Sequence, residues 1–304
     1  MSIVGSGIPT NRTNIQLPNE VSSEILQKTQ ESSAVMQLGR QIQLPGNGVQ
    51  IPVITGDPTA TWVTETGSKP VSNPTLDKKI MQAHKLAVIV PFSNEFRRDA
   101  AALYNALVQR LPLALAKQFD QTVFFGPASS LANFDDLSAV TAQSLASSAY
   151  SGLVAADIDI AEQGGVINGY VLSPQGRGVL LSALDTTNRP IFIDSVHEGG
   201  ISRILGAPAY VRAAAYKEGS GSGTGATPDI IGFAGDWTHA LWGTVEGVKI
   251  DISDEATLVY KDSLNQDATM NLWQQNMFAV RAEIEVGFVA ETQYFNALTR
   301  AHSA

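Results

Sequence analysis

Residues 49–92 constrain what this chain can fold into more than any other stretch. Two strand-forming runs, 49–66 and 75–92, flank Gly67, Pro70, Asn73 and Pro74, residues that close a turn, so the segment predicts a long hairpin. Val49, Ile51 and Val53 alternate with Gln50 and Pro52, and the proline confines that run to a sheet edge. At 3.3 Å per residue the ribbon reaches about 50 Å. Residues 86–90 are apolar on both faces, whereas Asp77, Lys78, Lys79, His84 and Lys85 precede them, so only the base of the ribbon reads as buried in its own chain. Trp62, Val63 and Val71 then stand far out, in the stretch ATWVTETGSKPVSNP. A two-stranded hairpin is marginal by itself in water, and an exposed tryptophan marks a contact, so the ribbon predicts a surface supplied by another molecule.

The rest of the chain reads as mixed α and β elements. Residues 1–20, punctuated by Gly5, Gly7, Pro9 and Pro18, predict an extended arm, and 21–38 predict one or two short helices. Ser93 and Glu95 predict a helix start, followed by the stripe Phe96, Ala100, Leu103, Leu107, Leu111, Leu115, Phe119 and Val123. Pro112 predicts a kink or a second helical segment, and Gly126-Pro127 a stop. A helix over 153–163 closes on Gly164-Gly165, and Ser173-Pro174 starts another. Strands are predicted over 166–172, 191–193, 209–216, 230–234 and 248–252. The plainest strand places Phe278, Val280, Ala282, Ile284, Val286 and Phe288 on one face and Arg281, Glu283 and Glu285 on the other.

Composition excludes several kinds of chemistry. With no cysteine there is neither a disulfide framework nor a thiolate site. The opening MSIVGSGIPT lacks a basic region followed by an apolar one, and no apolar run approaches the ~20 residues of a membrane helix, which predicts a soluble, non-secreted protein with no membrane partner. Twenty basic against 29 acidic residues give a net charge of −9, a poor balance for gripping phosphates across a surface. The letters GSGTGA at 221–226 fit a dinucleotide fingerprint, but a strand rather than a helix follows, so the segment predicts a surface loop. His84, His197, His239 and His302 have no neighbours at metal-ligand spacing, and no GxSxG elbow is present. Asp135-Asp136, Asp157/Asp159 and Glu283/Glu285 read as solvated or ion-paired carboxylates. No catalytic residue, metal or cofactor is predicted. Trp237 and Trp242 read as core or interface anchors.

The order of these segments resembles the major capsid proteins of tailed double-stranded DNA bacteriophages. The resemblance runs over 21–300: the ribbon and its sequel ATWVTETGSKPVSNPTLDKKIMQAHKLAVIVPFSNEFRRDA, then LAKQFDQTVFFGP, NGYVLSPQGRGVLLSALDTTNRPIF, ILGAPAYVRA, IIGFAGDW and MFAVRAEIEVGFVAETQYFNALT. It implies an α+β capsid fold with an N-terminal arm (1–46), an extended loop (47–92), a peripheral domain with a spine helix (93–136 and 256–304) and an axial domain (137–255). It further implies self-assembly into pentamers and hexamers of an icosahedral virion shell, built in the host cytoplasm, that encloses double-stranded DNA without sequence-specific binding. Trp62, Glu65, Lys69 and Val71 become the expected intersubunit contacts of the loop, and Arg97, Arg98, Trp237, Trp242, Arg281 and Glu283 the contact or packing candidates elsewhere. Scaffolding, portal and decoration proteins are further partners such a shell uses. The negative charge suits a wall that confines DNA and releases it.

Two other readings stand beside this one. An encapsulin-type compartment shares the shell fold and encloses enzymes instead of a genome. A soluble hydrolase built on His197 or His239 is the reading from a different class.

Overall fold

The alternating run near the C-terminus is the strand on which one sheet is built. The computed structural model describes residues 19–46, 48–56, 62–63, 69, 71, 75–95, 100–127, 129, 131–185, 187–192, 202–221, 226–261 and 265–302. In it β14 (Met277–Ala290) pairs antiparallel with β4 (His84–Ser93), from Met277 opposite Ser93 to Val286 opposite His84. The other edge of β14 carries β11 (Lys249–Ser253) and then β10 (Ala240–Thr244), and β1 (Arg40–Gln43) adds to β10 in parallel. All six apolar residues of the alternation, from Phe278 to Phe288, are buried. The opposite face is an ion-pair ladder: Lys85 with Glu285 at 3.2 Å, and Arg281 with Asp251 at 2.8 Å and Glu283 at 3.2 Å.

A second sheet has six strands in the order β5 (Thr141–Ser144), β15 (Phe295–Arg300), β9 (Asp229–Gly235), β6 (Gly169–Leu172), β8 (Ala207–Val211) and β7 (Arg203–Ile204). Helices α4 (Ala149–Glu162) and α5 (Pro174–Leu181) cover one face, where Leu153, Ala156, Ile160 and Leu180 pack on Tyr170, Leu172, Ile231 and Leu298. Both helices end as their sequences specify. Gly164, at φ +84°, donates to Ala161 O and Gly165 to Ile160 O, which satisfies the last carbonyls of α4, while Ser173 accepts from the Gly176 amide ahead of Pro174. A bulge at Ile231, where β15 shifts register, lets Ile231 and Ala234 face α4 and α5 while Ile230 and Phe233 face the other way.

Helix α3 (Ala100–Phe125) joins the two sheets into one body. Its Leu111 and Leu115 pack against Phe278, Val280, Ala282 and Ile284 of the first sheet. Phe119, Val123 and Phe124 pack with Phe233, Trp237, Phe288 and Phe295, and the Phe124 and Phe233 rings stack at 4.7 Å. Two short helices, α1 (Asn19–Ser32) and α2 (Ala34–Leu38), precede the first sheet, and α2 joins this core through Ala34, Val35 and Met36.

Several expectations need correction. The second arm of the ribbon is not one strand: β3 (Thr75–Met81) stays in the ribbon, and the chain turns at Gln82-Ala83 so that β4 can pair with β14. Ser93 lies in β4, its hydroxyl accepting from the Glu95 amide at 3.4 Å, and α3 is described from Ala100 onward. Of the two outcomes expected at Pro112, the second segment is not formed: α3 continues through the proline as one helix, with Leu111 and Leu115 buried on either side of it. The strand predicted at 166–172 begins only at Gly169, and that at 209–216 ends at Val211, followed by a 3-10 turn. At 191–193 no strand is found among the described residues; only the Leu184–Pro190 bridge stands nearby. Both sheets draw strands from either side of residue 255: β10 and β11 join the sheet of β14, and β15 joins the six-stranded sheet. The arm over 1–18 lies outside the described residues.

Candidate functional site

The ribbon is pinned at its base. Strand β2 (Val49–Gly56) pairs with β3 from Val49 opposite Met81 out to Gly56 opposite Thr75, and neither strand joins a third among the described residues. Met81 is fully buried with Leu44 and Val289, and Val49 and Ile51 pack against that cluster. Lys79 donates to Asp135 Oδ2 at 2.8 Å and to the Ala290 carbonyl at 2.6 Å, while the Ala290 amide donates to the same carboxylate oxygen at 3.1 Å. His84 Nε2 meets the Ala132 carbonyl at 2.7 Å, and the Gln82 amide donates to Asn133 O. Gly48 holds φ +81° where a Cβ would lie 2.8 Å from Met81 O, so glycine permits the chain to enter the ribbon close against β3. One half-buried cation thus ties the ribbon to both the 131–136 loop and the end of β14.

Farther out, the described residues lie in solvent. The Trp62 side chain is fully exposed at 105%, Val71 at 88%, and Val63 and Lys69 are also on the outside. Large apolar side chains left in water single out Trp62 and Val71 as contact candidates. Glu65, Arg97 and Arg98 lie outside the described residues.

The remaining predicted residues have partners within their own chain. Trp237 and Trp242 are each 1% exposed and donate their indole N–H groups to Gly169 O at 3.1 Å and Gly39 O at 3.2 Å, so they anchor the core. Arg281 pairs with both Glu283 and Asp251 on the open sheet face, and Lys249 also reaches Asp251 at 3.8 Å, so these charges are compensated within the chain. His239 stacks on Tyr294 at 3.9 Å and faces Glu291, and His302 Nδ1 contacts Asp229 at 2.6 Å; His197 lies outside the described residues. No cluster that could hold a metal ion occurs among the described residues. No helix among them is long and apolar enough to cross a membrane.

Residues 14–298 match the phage capsid family. The chain belongs to that family. It is 27% identical over 286 residues to the probable major capsid protein gp17 of Mycobacterium phage L5, covering 90% of this chain and 85% of that one. The corresponding protein of Mycobacterium phage D29 is 25% identical over 295 residues, covering 94% and 91%. Among solved structures, a chain of Mycobacterium phage Adephagia superposes with a TM-score of 0.67 at 20% identity, covering 90% of this chain and 91% of that one. The α+β architecture of this capsid-family chain is therefore that of tailed-phage capsid subunits.

One exposed feature of this capsid-family chain escapes a reading of the sequence. Strands β12 (Thr257–Lys261) and β13 (Asp267–Asn271) form a second hairpin, and Trp273, in the turn that follows, is 76% exposed. The signals were local: TLVYK and DATMN around a polar break, then Asn271 and Asn276 bracketing the turn.

Proposed function

We propose that this chain is the repeating unit of a closed shell around the double-stranded DNA of a tailed bacteriophage, and that the ribbon is the strap by which one copy holds the next. The observation that carries this reading is the fully exposed Trp62, between the two strands of a ribbon anchored at its base, in a chain of the phage capsid family. Burying side chains such as Trp62 and Val71 against a neighbour stabilises the contact by about 1.5–3 kcal/mol each, and the same contact recurs at every copy, so closure is cooperative. In this reading Lys69 and Glu65 add polar contacts of the loop to its neighbour, and Arg97 and Arg98 are further contact candidates.

In this reading the sheet of β14 with α3 forms the peripheral part, and the six-stranded sheet forms the axial part that meets its copies in pentamers and hexamers. The role is structural, without catalysis or cofactor. Assembly takes place in the host cytoplasm, with scaffolding, portal and decoration proteins as further partners, and the product is the virion capsid. The net charge of −9 supports a wall that confines the genome without gripping it.

Electron microscopy and sedimentation of the purified full-length protein test the reading. Closed particles of uniform diameter are expected. A monodisperse small oligomer at high concentration contradicts it.

A further inference from the structure

Apart from the α3 segment, the chain passes between the two sheets twice, and the two passages lie side by side. Residues 236–239 lead from β9 to β10, and residues 291–294 lead from β14 to β15. Each begins on an acidic residue, Asp236 or Glu291, and makes one 3-10 turn, Trp237–His239 or Thr292–Tyr294. The Asp236 amide donates to Tyr294 O at 3.0 Å and the Glu291 amide to His239 O at 3.1 Å, so the passages are bonded to each other at both ends.

The last residues of the two turns meet face to face. The His239 and Tyr294 rings stack with centroids 3.9 Å apart and 20° between their planes. The Tyr294 ring is seated on Gly165, where a Cβ would lie 2.7 Å from Tyr294 Cδ1. The two acids differ in what they hold. The Asp236 carboxylate accepts from the Val166 and Thr238 amides, from Asn168 Nδ2 and from the Thr238 hydroxyl. The Glu291 carboxylate makes no bond within its own turn and stands 3.7 Å from His239 Nδ1. That separation is too long for a hydrogen bond from a neutral imidazole and short enough for an ion pair with an imidazolium.

We propose that these twin crossovers form a clip operated by the charge of His239, loose when the imidazole is neutral and tight when it is protonated. Histidine changes charge between about pH 5 and 8, where ordinary carboxylates are ionised. The groups that face it favour the charged form. Glu291 gains an ion pair, the Asp236 carboxylate attracts the same charge through space, and the face of Tyr294 attracts a cation above it. Lys79 and Asp135, bonded to the adjoining Ala290, are paired to each other. The device acts within one subunit: protonation ties the six-stranded sheet more firmly to the sheet of β14 where the two segments cross.

Hydrogen exchange of the full-length subunit tests this at the amides of Asp236 and Glu291, read as protection relative to an unstructured amide at the same pH. Protection about fivefold greater at about pH 5.5 than at about pH 8 is expected of the native chain. His239→Phe keeps a stacked ring without its charge and is expected to lose that dependence. Glu291→Gln keeps the cation over Tyr294 but not the ion pair, and is expected to retain about half of the response or less. Titrations elsewhere are common to the three proteins, so the differences between them isolate His239. Equal protection at both pH values in the native chain, or an undiminished response in either variant, overturns the proposal.

Discussion

Asp120 and Arg212 grip one helix junction from opposite poles. The carboxylate of Asp120, buried in α3, accepts from the Ser33 hydroxyl and from the amides of Ala34 at 2.9 Å and Val35 at 3.4 Å, at the start of α2. The guanidinium of Arg212 donates to Ser32 O at 2.7 Å and Glu31 O at 3.1 Å, at the end of α1. An anion meets the positive end of one helix and a cation the negative end of the other, so the corner at Ser33 is held by charges distant in sequence.

Replacing that carboxylate exposes its structural role. Asp120→Ala leaves two buried amides and a hydroxyl without an acceptor and is expected to cost roughly 3 kcal/mol. A chemical denaturation midpoint that does not move contradicts the assignment.

The same residue gives the protein a specific pH response. Burial pushes the Asp120 carboxyl up from 3.8 to about 6, against the lowering effect of Ser33, the two amides and Arg212. The native state therefore binds this proton more tightly than the unfolded chain, and the stabilisation, complete below about pH 4, is lost as pH rises through about 6. Relative to Asp120→Asn, the native protein gains up to roughly 3 kcal/mol between pH 7 and pH 4. Paired unfolding curves across that range measure it, and a difference independent of pH refutes it.

Asp229 responds in the opposite direction. Burial raises its carboxyl, but the Gly219 amide, His302 and Arg300 outweigh burial and hold it at about 2. Its contribution is present above about pH 4 and is lost as pH falls toward 2. Arg300 donates to it at 2.9 Å from the end of β15, so Arg300→Ala is expected to cost about 2 kcal/mol and to speed hydrogen exchange in β15 and at the start of β9. Unaltered exchange there rules out a latch.

Legibility in the sequence followed the number of wet faces. The run over 278–288 shows its period because one side of β14 faces solvent, and α4 and α5 announce their ends through Gly164-Gly165 and Ser173-Pro174. Strand β15 was silent, because every position from Phe295 to Thr299 is buried and no alternation survives. Strand β10, also buried nearly throughout, was silent for the same reason, and the sheet to which each belongs depends on pairings far apart in the chain. Of the candidate site, Trp62 was legible because prolines and glycine isolate it from any core. Trp273 was not, because its exposure depends on Leu272 turning inward.

The four tryptophans divide by exposure, and their substitutions should divide the same way. Trp242→Ala opens a cavity in the core and is expected to cost about 3–5 kcal/mol. Trp62→Ala should alter subunit stability by less than about 0.5 kcal/mol while impairing particle formation. Thermal melts of subunits beside sedimentation of assemblies separate the two effects; destabilisation of the subunit by Trp62→Ala contradicts the exposed position of that ring.

A density map of the assembled particle at side-chain resolution is the most direct test. The ring of Trp62 is predicted to lie against a neighbouring copy, with the ribbon extended from its Lys79–Asp135 anchor. Closed particles in which the ribbon folds back on its own subunit, with no neighbour touching Trp62, would contradict the account.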